Sequence, residues 1–275
     1  MRIAFSPCPN DTFVFHAWVH GLVPNAPELA VTYADIDITN GMAASAHGPD
    51  ILKISYAALP WVLSEYALLP CGGALGRGCG PLVLARDHTD PAALAGRRVA
   101  VPSERSTAYL LFRLWAAQHV PGGVGEIVIM PFHEIMPAVR DGSIDAGLVI
   151  HEARFTYPSY GLKLVSDLGS WWEEDTGLPI PLGAIIARRT LDLEAISGWI
   201  RASVEHAWAH PEATRDYVMC HAQELAPEVA QAHIDLYVNQ FTANLGEDGY
   251  AAVTALLSRA AEEGLVPSFD LALLR

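Results

Sequence analysis

The strongest constraint in this chain is an alternation. Short apolar segments take turns with helical stretches through residues 3–188, and only helical periodicity follows after residue 191. Strands are expected at 3–5, 31–37, 51–54, 81–86, 97–101, 126–130, 145–150, 162–167 and 182–188. Helices are expected at 12–20, 40–47, 56–65, 106–119 and 134–140, then at 193–210, 212–224, 227–239 and 248–263. Strands and helices in alternation call for an open α/β sheet. The strands at 81–86 and 182–188 bracket a segment with strand–helix repeats of its own, the pattern of a chain that crosses to a second lobe and returns. One lobe is expected to comprise residues 1–84 and 186–275, the other residues 85–185. A ligand is then expected in a cleft between the lobes, at the C-terminal ends of strands.

Composition excludes several classes. A chain of 275 residues, 51% apolar and 17% charged, is too apolar to be disordered and long enough to bury a core without disulfides. The mean hydropathy of +0.23 asks for a membrane check. The apolar stretch at 54–64 is ended by Glu65, well short of the roughly 18–20 residues a span needs. The net charge of −14 argues against nucleic acid and anionic membranes, because both require a cationic face. A small anion held locally at a helix end remains compatible with it. Cys8, Cys71, Cys79 and Cys220 show neither C-x-x-C nor zinc-finger spacing, so reduced thiols are expected. Met1-Arg2-Ile3-Ala4-Phe5 leads straight to Pro7 with no signal-peptide pattern, which favours the cytoplasm. Nothing in the pattern points to one oligomeric state. Residues 72–80 hold five glycines but no Gly-Lys-Ser/Thr; a structural turn that lets backbones approach closely is expected there.

Three blocks occur in a fixed order: Ser6-Pro7-Cys8-Pro9-Asn10-Asp11-Thr12-Phe13, Gly72-Gly73-Ala74-Leu75-Gly76-Arg77-Gly78 and His151-Glu152-Ala153-Arg154-Phe155-Thr156-Tyr157. Together with His221-Ala222-Gln223-Glu224-Leu225 and Tyr237-Val238-Asn239 they resemble the 1,4-dihydroxy-6-naphthoate synthase family of the futalosine route to menaquinone, over nearly the whole chain. The resemblance implies the fold of type II periplasmic binding proteins, with two α/β lobes, two crossover strands and a central cleft. It implies conversion of cyclic dehypoxanthine futalosine to 1,4-dihydroxy-6-naphthoate, a carbon–carbon lyase reaction, with no cofactor. It also implies that His151 is the catalytic base.

Residue chemistry can be weighed beside that implication. His151 follows an apolar strand, where a side chain reaches the C-terminal edge of a sheet, and an imidazole suits proton abstraction near neutral pH; alternatively it caps the next helix. His151-Glu152 begins like a zinc-protease motif, but Phe155 stands where the second His is needed, so no metal is expected. Glu152 either orients the imidazole or starts a helix. Arg154 either binds a carboxylate or pairs with an acid. Ser106 and Thr107 open a predicted helix, where free N–H groups and hydroxyls make a carboxylate site; an ordinary cap is the alternative. By resemblance Lys53, Ile54 and Ser55 contact substrate; for Lys53 a Schiff base and a paired lysine are the other readings. Asn40 and Asn10 are candidates for substrate hydrogen bonds or for helix caps, and Ser6, Asp11 and Thr12 share the same polar turn as Asn10. Cys8 has no evident partner for nucleophilic chemistry. Trp171 and Trp172 either stack on a flat product or pack internally. His206 and His210 lack a third ligand. Three competing classes fit less well. They are a solute-binding protein, chorismate dehydratase of the same fold and pathway, and a regulator's effector lobe.

Overall fold

The computed structural model describes residues 1–222 and 226–275. The chain begins with β1 (Arg2–Phe5), α1 (Pro9–Val19), β2 (Ala30–Tyr33), α2 (Ile36–Ala43), β3 (Ile51–Ser55), β4 (Tyr66–Leu68) and β5 (Ala74–Gly76). It continues through β6 (Leu82–Ala85), β7 (Val99–Val101), α3 (Thr107–His119), β8 (Ile127–Ile129), α4 (Phe132–Asp141), β9 (Ala146–Val149), α5 (Ala153–Thr156), β10 (Lys163–Asp167) and α6 (Leu168–Thr176). It ends with β11 (Ile180–Arg188), α7 (Leu193–Ala209), α8 (Pro211–His221), α9 (Pro227–Tyr237), α10 (Gln240–Ala243) and α11 (Gly246–Glu262). Two units result: Met1–Gly76 with Pro181–Arg275, and Arg77–Ile180.

The sheet of the first unit runs β2-β1-β3-β11-β4, with β5 also paired to β11. β1 is parallel to β2 and β3, while β11 runs antiparallel to β3 and β4. α1 is buried from Pro9 to Trp18, as expected of a helix covered on several sides; α7, α8 and α9 pack against it. Phe5, Phe15, Trp18, Ile51, Ile185, Ile200 and Val204 form the core there. The sheet of the second unit runs β10-β6-β9-β7-β8, over a core of Leu82, Leu84, Ile135, Val139, Ile144 and Val149.

Several boundaries differ from expectation, each for a local reason. The first helix starts at Pro9 rather than residue 12, with Cys8 at the N-cap, because proline at the first helical position costs no hydrogen bond and presets φ. Asn10 and Asp11 therefore sit inside the first turn and are not caps. α2 covers Ile36–Ala43 instead of 40–47, which puts Asn40 inside the helix. The expected helix at 56–65 is a 3₁₀ turn over Tyr56–Trp61 that contains Pro60. β4 follows directly on the stretch expected to be helical, and β5 lies inside the glycine-rich stretch expected to be a turn, so neither was foreseen. α6 was also missed; Asp167 starts it by accepting hydrogen bonds from Gly169 N and Ser170 N. The helix expected to reach residue 224 ends at His221; Gln223, Glu224 and Leu225 lie outside the described residues. Among the described residues no helix is long and apolar enough to cross a membrane. Cys8, Cys71 and Cys79 are buried thiols, Cys220 is exposed, and none forms a disulfide.

His16 gives α1 a pH-sensitive contact. Its ring lies 4.4 Å from that of His20 and 5.6 Å from that of Tyr217. Burial, then the charges of His20 and His206, lower its pKa from 6.5 to about 4. Acid therefore protonates the unfolded chain first. This contribution to stability is complete above pH 6.5 and is lost as pH falls toward 4. Urea denaturation midpoints at pH 7 and pH 5 should show a smaller acid-side drop for His16→Phe than for the wild type.

Candidate functional site

In the first unit, the double proline and α1 place a polar group of residues against β3. Lys53 and Asp11 are both buried, and Lys53 Nζ donates to Asp11 Oδ1 at 2.6 Å. Asn10 Nδ2 donates to the same Asp11 oxygen at 2.8 Å. His233 of α9 contacts Asn10 Oδ1 through Nε2 at 2.9 Å. Beside them, Asn40 clasps the end of β3. Its Oδ1 accepts from Ser55 N at 2.8 Å, and its Nδ2 donates to Ser55 Oγ at 3.1 Å. Ile54 is fully buried. Ser6 Oγ donates to Cys8 Sγ at 2.9 Å and accepts from Cys8 N, which fixes the turn. Thr12 Oγ1 donates back to the carbonyls of Cys8 and Pro9. Gly183 lies opposite Ser55 on β11. A Cβ on Gly183 would meet Lys53 Cε at 2.6 Å, so the missing side chain is the space the lysine stem uses.

In the second unit, β9 ends at Val149 and the chain turns sharply. His151 has φ 53°; among the described residues only Asn25 is another non-glycine in the left-handed region. Such backbone costs on the order of 1–3 kcal/mol and concentrates at functional sites. The imidazole is half-buried and meets the Phe132 ring edge-on, centroids 5.5 Å apart and planes at 83°. Glu152 is buried and precedes α5 at its N-cap position, without a side-chain cap bond. Arg154 pairs with an acid, as one of its two readings held: it donates to Asp167 and to the Gly80 carbonyl. Asp167 also starts α6, so one carboxylate ties together the turn after His151, the glycine loop and α6.

Backbone contact explains part of that loop. A Cβ on Gly80 would lie 2.0 Å from Gly169 N, and Gly78 N donates to Glu173 Oε1 at 2.6 Å. Ser106 caps α3: its Oγ accepts from Tyr109 N at 3.1 Å and donates to the Ser103 carbonyl at 3.0 Å. Thr107 follows it and is buried. Trp172 is buried and donates to Pro179 O, while Trp171 donates to Gln118 on α3, so both rings of α6 are packed within the second unit. His206 and His210 lie 4.8 Å apart by ring centroid, and no third metal-ligating side chain joins them among the described residues.

A family model described as menaquinone biosynthesis matches residues 1–262. The chain belongs to this family. A Streptomyces coelicolor relative named 1,4-dihydroxy-6-naphthoate synthase is 69% identical, over 98% of this chain and 95% of its own length. A Thermus thermophilus relative with the same name is 49% identical, over 96% of this chain and 95% of its own length. Among solved structures, an Archaeoglobus fulgidus protein is 37% identical and superposes with a TM-score of 0.88, covering 96% of this chain and 98% of that one. The Escherichia coli aliphatic sulphonate-binding protein is 12% identical with a TM-score of 0.70, over 99% of this chain and 90% of that one. That last similarity shows the fold: a periplasmic-binding-protein arrangement, mixed α/β with two sheets.

Membership of the menaquinone family agrees with the motif resemblance. Sequence reasoning did not single out His233 or Asp167. Neither stands in a motif block, and each is recognised only by what it touches. The Lys53–Asp11 pair carries the first testable consequence for the site. Removing one partner of a buried pair leaves an uncompensated charge and costs about 3–5 kcal/mol. In urea titrations Lys53→Met should destabilise by that order, and adding Asp11→Leu should recover much of it. Gly183→Ala should mimic the single variant by displacing the lysine stem.

Proposed function

We propose that the chain converts cyclic dehypoxanthine futalosine to 1,4-dihydroxy-6-naphthoate, as a carbon–carbon lyase working in the cytoplasm without a cofactor. The names of the two relatives support the product; the substrate follows from the motif resemblance. The left-handed backbone at His151, on the tip of β9, is the observation that carries the chemical reading. A strained turn fixes the imidazole against the Phe132 ring just beyond β9, in a position to take a proton. Proton removal by His151 initiates carbon–carbon cleavage, a three-carbon fragment leaves, and formation of the aromatic ring drives the elimination.

The remaining residues bind the small-molecule carboxylate substrate. Ser106 and Thr107, at the start of α3, hold an anionic or polar end of the substrate at the backbone N–H groups of the helix start. Lys53, Ile54, Ser55, Asn40 and Asn10 grip the rest. The Lys53 ammonium, bonded to Asp11 at 2.6 Å, acts as a hydrogen-bond donor. Its nitrogen is engaged by that carboxylate in a buried pair, an arrangement that supports donation and not attack on a carbonyl. Borohydride added during turnover should therefore trap no adduct at Lys53.

General acid–base catalysis contributes about 10²–10⁴ in rate. His151→Ala should lower kcat by that factor with little change in substrate affinity, and unchanged kcat would remove the base assignment. His151→Gly should be as inactive, and at least as stable as the wild type, because glycine accepts φ 53° at no steric cost. Thr107→Ala should mainly raise KM; a pure loss of kcat would contradict anchoring at α3.

A further inference from the structure

We infer that His233, outside every motif block, is a positioning residue that sets the polarity of the substrate-gripping groups in the first unit. The inference rests on the proposed roles of Asn10 and Lys53. Its basis is a buried chain of three contacts: His233 Nε2 to Asn10 Oδ1 at 2.9 Å, Asn10 Nδ2 to Asp11 Oδ1 at 2.8 Å, and Lys53 Nζ to the same oxygen at 2.6 Å. Exposure along it is 1% for His233, 7% for Asn10, 2% for Asp11 and 3% for Lys53.

The direction of each bond follows from one charge. An ionised carboxylate only accepts, so Asn10 must turn its amide NH₂ toward Asp11. Its carbonyl then faces α9, and His233 must donate from Nε2. A donor at His233 Nε2 locks the amide in that direction from its far side. Both donors that meet Asp11 keep hydrogens to spare: one on the Asn10 amide and two on the Lys53 ammonium. These suit oxygen acceptors on a carboxylate- or carbonyl-bearing substrate. A flipped Asn10 would present its oxygen to the carboxylate and lose that donor.

α9 is well placed for this. Ala230, His233, Ile234 and Tyr237 form its buried face, and the Tyr237 ring lies 4.4 Å from the His233 ring. The packing holds the imidazole in one orientation while the histidine supplies a polar contact from this face to Asn10.

Steady-state kinetics on the full chain with cyclic dehypoxanthine futalosine test the inference. His233→Leu should raise KM about tenfold, as expected for a lost bond feeding a charged group, with kcat changed less than about twofold. His233→Gln, which keeps a donor, should restore most of the affinity. In an Asn10→Ala background His233→Leu should add little, since the two act through one contact. A full additional loss there, or no rescue by glutamine, would overturn the inference. If Asn10→Ala alone leaves KM unchanged, the binding role of Asn10 fails and the inference falls with it. If Asn10→Ala raises KM and His233→Leu does not, only the inference fails. Nitrogen-15 NMR of the wild type checks the same claim without any variant: His233 should carry its proton on Nε2, and an unprotonated Nε2 at neutral pH would overturn it.

Discussion

One cation and one anion, taken out of water together, set the terms for the first unit. Lys53 and Asp11 lose several kcal/mol of hydration each on burial, and they regain it only if their geometry is held. That requirement reaches outward. Pro9 starts α1 early enough to put Asp11 in its first turn. Gly183 leaves room for the lysine stem, and Asn10 carries a hydrogen bond from α9 to the carboxylate. A pair so enclosed is an expensive way to stabilise a sheet, since apolar residues of similar size usually do as well. Its retention makes sense where a donor must point in one direction.

The second unit solves a different problem. A histidine in left-handed backbone needs its surroundings to over-determine it. Arg154, three residues on, is held by Asp167 and by the Gly80 carbonyl. Gly80 in turn approaches Gly169 so closely that no side chain fits. The glycine loop, the start of α6 and the turn after β9 are thereby joined, and the chain around His151 has few ways to relax. The first unit fixes donors through buried charge, and the second fixes an imidazole through backbone.

What was legible in the sequence follows the same division. Alternation located β1, β3, β6, β7, β9 and β11 because their residues are buried and apolar over several positions. Ser106 announced α3, since a serine before a helical stretch is a common cap. The glycine run at 72–80 read correctly as a place of close approach. The start of α1 was misplaced because two capping candidates, Asn10 and Asp11, outweighed a proline whose preference for the first helical position was the better guide. His233 was invisible for a plainer reason: it sits at helical spacing among apolar residues of α9, and a lone histidine there looks like core. Its partner is 223 positions away in sequence, a distance over which no local pattern extends. The motif blocks pointed to the family, and the family relationship agrees with them.

The most direct measurement is the reaction itself. The purified chain, incubated with cyclic dehypoxanthine futalosine and no added cofactor, should produce 1,4-dihydroxy-6-naphthoate in step with substrate loss, together with a three-carbon fragment seen by mass spectrometry. Recovery of the substrate intact, bound and released without change, would contradict the enzymatic account and leave a binding protein in its place.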